Sequence, residues 1–182
     1  MSEPVGIEPA NIEGTDASNI VINIVEKTFV DFIKIALLDD QIKNKLLIKL
    51  TPEMINIINK IISLTPNTFT DIEKASTEII KDGKIDSKDI PQLIIIVQRI
   101  YQVIYNLKDM KLDSKKCSEI TSTILKFIVH LLVSERKIKI DQDKQAEFLK
   151  DFDVLIDSCV GLLIFPKTIK VKGCFDKIFG KK

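Results

Sequence analysis

The sequence has no tryptophan, one histidine (His130) and three cysteines, and among its 27 basic side chains only Arg99 and Arg136 are arginine. Each shortage narrows the field. Cys117, Cys159 and Cys174 are odd in number and in no C-x-x-C spacing, which argues against a disulfide scaffold and for a reducing compartment. One histidine and no paired cysteine would leave a zinc site to scattered carboxylates. Scarce arginine, with aromatics at 6%, disfavours nucleic acid, which favours Arg-rich, aromatic-studded surfaces. No G-x-x-x-x-G-K-[ST] or G-x-G-x-x-G run is present to cradle a phosphate.

His130 falls in line with Glu119, Lys126 and Lys137, on the polar stripe of its helix. That placement predicts a solvent-facing or interface side chain. No Ser or Cys nucleophile with an acid partner is recognisable around it. The few inward acids are Asp153 and Asp157. The chain is therefore expected to be no enzyme, with no catalytic, metal or cofactor-binding residue. No basic stretch followed by an apolar run opens the chain, so no signal peptide is expected. The longest apolar runs are broken, "TILKFIVHLLV" by Lys126 and His130, while "CVGLLIF" is short for a span of ~20 residues. A soluble, cytoplasmic chain is the expectation outside a viral context.

What is present is apolar residues at 45%, charged residues at 29% and a net charge of +1, a composition suited to one globular core. Charge is uneven along the chain. Residues 1–18 hold Glu3, Glu8, Glu13 and Asp16 with no Lys or Arg, and read as an extended acidic arm. Residues 166–182 read as a basic tail with Lys167, Lys170 and Lys172 ahead of Phe175 and Phe179. These ends are the predicted partner-binding segments, the tail through protein, a peripheral membrane contact or a fold back onto the bundle.

Between them, residues 19–165 read as an all-α bundle of about seven helices, orthogonal or up-and-down. The first is expected over 19–38 and the second over 39–50. Thr51-Pro52-Glu53 sets a cap, a first-turn proline and a first-turn acid in order. Thr70 to Glu73 has the form of a capping box. Lys-apolar-Asp recurs at Asp86, Asp113 and Asp141, 27 and 28 residues apart, and predicts three further helix caps. Counting from each Asp, Leu93, Ile120 and Phe148 stand at +7 and Val97, Ile124 and Phe152 at +11. Tyr101, Ile128 and Ile156 follow at +15, completing one helical face per unit. The helix over 90–107 is apolar almost all round and is expected at the centre.

"KDGKIDSKDIP", residues 81–91, has the acids and glycine of a calcium loop. With Gly83 at loop position 6, Asp82, Asp86 and Asp89 fall at 5, 9 and 12, but position 3 is Ile80, which cannot ligate. A helix stop, a turn and a cap account for the same residues.

Ile/Lys richness, scarce Arg and a string of capped helices with extended tails resemble small helical minor capsid proteins of large icosahedral DNA viruses. The resemblance implies a virion component cementing capsomers beneath the major capsid shell, with other capsid proteins as partners and an internal membrane within reach. Two alternatives stand beside it: a regulatory binding module with a degenerate calcium-type helix-loop-helix, and a membrane-surface or nucleic-acid adaptor working through the tail.

Overall fold

Thr28 and Asp31 open the first helix by exchanging bonds: Asp31 N–H donates to Thr28 Oγ1 (3.3 Å) and Thr28 N–H to Asp31 Oδ2 (3.0 Å). This capping box satisfies amides that a helix start leaves orphaned. Of the helix expected over 19–38, the described part begins after the Thr28 cap, and residues 19–26 lie outside the described residues. The structure, a computed structural model, describes residues 27–46 and 48–164. The acidic arm, the basic tail and their predicted partner-binding residues Glu3, Glu8, Glu13, Lys167, Lys170, Lys172, Phe175 and Phe179 lie outside the described residues.

Seven α-helices and one 3-10 turn follow in order: α1 Phe29–Leu38, α2 Asp40–Lys45, α3 Pro52–Leu64, α4 Asn67–Ile79, α5 Ile90–Tyr105, the turn Lys108–Met110, α6 Ser114–Ser134 and α7 Gln145–Ile164. The fold is all-α, with no strand among the described residues. Asp39 closes α1 and opens α2, its carboxylate accepting from Gln41 N–H (2.8 Å) and Ile42 N–H (3.2 Å). Thr51 accepts from Met54 N–H (3.2 Å) at the head of α3, and Asp113 from Lys116 N–H (2.7 Å) at the head of α6.

Three predicted caps are corrected. Thr70 lies inside α4, because Pro66 already has helical angles (φ −57°, ψ −30°) and starts the helix a turn early. Glu73 does not reach back to a cap; it pairs with Lys137 (3.2 Å). Asp86 accepts from Lys88 N–H (2.7 Å) in the turn before α5. Asp141 binds Lys144 Nζ (2.8 Å) in the turn before α7, so both aspartates mark a turn ahead of the helix proper.

The centre of the bundle is α6, not the helix over 90–107. Fourteen α6 residues are buried, among them Ile120, Ile124, Phe127 and Ile128. α5 leaves Ile95 and Tyr105 about half exposed. The hydroxyls of α6 disguise its burial in the sequence: Ser118 donates to Ser114 O (2.9 Å) and Thr121 to Cys117 O (2.7 Å), so each is satisfied within its own helix. α6 is also the one helix among the described residues long and apolar enough to cross a membrane, and most of it is packed inside protein.

Three described residues carry left-handed backbone, Gly83, Lys111 (φ +46°) and Arg136, and two of them follow α-helices. Gly83 stops the chain after α4 at φ +73°, and an added Cβ would come 3.4 Å from Lys139 O. Arg136 follows α6 at φ +56°, where Lys137 N–H donates to Leu132 O (2.9 Å) and Arg136 N–H to Val133 O (3.1 Å). That pair of bonds is the helix-ending pattern that favours glycine at the position Arg136 fills. Gly83→Ala is expected to destabilise by about 1 kcal/mol and Arg136→Gly to stabilise by about 0.5–1 kcal/mol in urea denaturation.

Candidate functional site

α6 and α7 run antiparallel, and each carries polar residues four apart on the face it turns to the other. On α6 these are Ser122, Lys126 and His130; on α7 they are Asp153 and Asp157. Residues four apart share one helix face, so two such ladders meet in reverse order. Ser122 Oγ donates to Asp157 Oδ1 (2.6 Å) and Lys126 Nζ to Asp157 Oδ2 (2.7 Å). Two turns along α6, His130 Nε2 lies 3.1 Å from Asp153 Oδ1 and its Nδ1 3.0 Å from the backbone oxygen of Leu46.

Of the two placements its stripe predicted, solvent-facing or interface, His130 is not solvent-facing: it is 7% exposed. An isolated helix wheel places it beside Glu119 and Lys126; α7 covers it by supplying the acids. Asp153 and Asp157, expected as inward acids, lie on this seam, with side chains 31% and 59% exposed respectively.

A histidine oriented by a carboxylate is the base half of a nucleophilic triad. Here the position a nucleophile would take is filled by the Leu46 carbonyl, and no ring nitrogen is left for a substrate. Cys117 and Cys159 are buried, and burial pushes the Cys159 thiol up, away from the reactive thiolate.

Burial alone would push the Asp157 carboxyl up, but the hydrogen bonds from Lys126 and Ser122 and the charge of Lys126 outweigh it and hold the group below its ordinary value of 3.8. A lowered carboxylate stabilises the fold above its unfolded value, and that contribution is lost as pH falls through the folded one. The melting-temperature advantage of the natural protein over Asp157→Asn is expected to be full near neutrality and to fade on acidification below 3.8. A gap that persists or grows under acid would contradict the assignment.

The calcium-like loop serves the backbone. Ile80 is 1% exposed in the core. Asp82 accepts from Lys84 N–H (3.1 Å), Asp86 from Lys88 N–H (2.7 Å) and Asp89 from Asp86 N–H (2.8 Å). These oxygens cap their own turn rather than converge, and among the described residues no group of three or more His, Cys, Asp or Glu is placed to hold a metal.

The surface offers a groove of about 460 Å³ between α4 and α5, floored by Ile72, Ala75, Ile96 and Val103 and edged by Asp71 and Arg99. A second, of about 400 Å³, lies between the Gly83–Ile85 turn and α7 over Phe148 and Phe152. No protein-family model matches the chain, and no curated protein or solved structure is significantly similar to it.

Proposed function

We propose that the protein is a non-enzymatic structural or interaction protein, and, in the specific form its resemblance implies, a minor virion component that binds neighbouring capsid subunits. The observation that carries the reading is the closure of the α6–α7 seam. The one histidine has both nitrogens engaged internally, and no buried side-chain nitrogen or oxygen among the described residues lacks a partner. Enzymes leave such groups aimed at a vacancy that a substrate fills. Among the described residues the outward surface includes apolar ground: the α4–α5 groove, and Leu38 and Leu64 standing in solvent at 85% and 66% exposure.

The reading assigns partner contact to the chain ends, so the test is protection. Glutamyl endopeptidase is applied in parallel to the purified protein and to the particle that contains it. Cleavage after Glu13, which Gly14 follows, in the isolated protein, with that site protected in the particle, is the expected result. Equal cleavage in both states, or absence of the chain from salt-washed particles, would refute it.

A further inference from the structure

Both nitrogens of His130 face acceptors. Nδ1 points to the Leu46 carbonyl oxygen and Nε2 to a carboxylate oxygen of Asp153, at 3.0 and 3.1 Å. A carbonyl and an ionised carboxylate only accept, whereas a neutral imidazole owns a single N–H. The two bonds coexist only if the His130–Asp153 pair holds one proton more than a neutral ring beside a carboxylate.

We propose that His130 is a proton-dependent latch that ties the end of α2 to the α6–α7 seam. With the extra proton the ring holds Leu46 and Asp153 together; without it one of the two bonds is lost. Leu46 is the residue that closes α2, on the connection between α1 and α3. Leu46 is 3% exposed and the Asp153 side chain 31%, so water can replace the ring at Asp153 but not freely at Leu46; when the neutral ring keeps its N–H on the charged Asp153, the end of α2 must move to regain a partner.

The surrounding charges leave this role to the ring. On α7, Asp153 touches it, with Lys150 a turn before and Asp157 a turn after. On α6, Lys126 is committed to Asp157 at 2.7 Å. In α2, Lys43 pairs with Asp40 at 2.6 Å, and Lys45 lies in the last turn. Asp153 is the charged group these contacts place against the imidazole. The latch does not depend on the partner or virion reading, since it concerns the isolated chain.

His130 is the single histidine, so a long-range proton–nitrogen spectrum of the full ¹⁵N-labelled protein shows one imidazole. The sample is titrated across the ordinary histidine range, from about pH 5 to 9. At the acid end both ring nitrogens should give protonated-type shifts. As pH rises one should turn pyridine-like, and the Leu46 amide should move with the same midpoint while the Gly83 amide does not. In Asp153→Asn the side-chain amide can donate to a neutral ring, so the Leu46 amide should keep its acid position to the alkaline end. A ring with one pyridine-like nitrogen throughout, or a ring that titrates with no response at Leu46, would overturn the proposal.

Discussion

Replacing Phe127 with alanine is expected to lower the unfolding free energy by about 3–5 kcal/mol. Phe127 is 1% exposed on α6, among the largest fully buried side chains. Deleting it loses the transfer energy of an aromatic ring and leaves a cavity that α6 cannot close, because its neighbouring turns are also packed. Against a domain stability of about 5–15 kcal/mol, that is a large share. Tyr105→Ala on α5 is the control: the side chain is 53% exposed, and its loss should cost less than about 1 kcal/mol. Urea denaturation followed by circular dichroism measures both. A Phe127→Ala cost below that of Tyr105→Ala would displace α6 from the centre of the bundle.

The second large effect is expected at the seam. Asp153→Ala leaves the His130 Nε2 without its carboxylate in a pocket where the ring is 7% exposed. Stranding a buried donor costs about 1–3 kcal/mol, and the partial exposure of Asp153 keeps the figure in that range rather than at the larger cost of breaking a fully buried pair. Asp141→Ala makes the comparison. Its pair with Lys144 lies in water, with side chains 73% and 66% exposed, and its loss should leave the melting temperature unchanged.

Much of this was legible in the chain because local chemistry decides it. Thr51 with Pro52, and Asp113 before a periodic run, name helix starts that depend only on neighbouring amides. The face running through Ile120, Ile124 and Ile128 is buried as its spacing requires. Gly83 sits at the left-handed turn its type favours. The rest depends on neighbours no single helix specifies. α5 looks central because it is apolar on several sides, yet its buried residues, Leu93, Ile96, Val97, Ile100 and Ile104, form a single stripe. α6 looks amphipathic because its serines and threonines read as polar, while in the helix Ser118, Thr121 and Thr123 bond back to carbonyls behind them and Ser122 meets Asp157 of α7. His130 reads as exposed until α7 brings Asp153 to it. The signal that finds the seam is the pairing of two four-residue ladders, Ser122-Lys126-His130 and Asp153-Asp157, on successive antiparallel helices. Asp86 and Asp141 mislead by one turn: each binds locally and leaves the helix to begin after it.

The central claim is that the acid–base groups between α6 and α7 hold the fold together and are not free for chemistry. A double-mutant cycle tests it most directly: His130→Gln, Asp153→Ala and the double variant, unfolded in urea at about pH 6. The account predicts a coupling of about 1–3 kcal/mol, as expected for a charge-assisted bond in a largely buried site. Single costs that add to within about 0.5 kcal/mol would mean that the two side chains do not stabilise each other, and would contradict it.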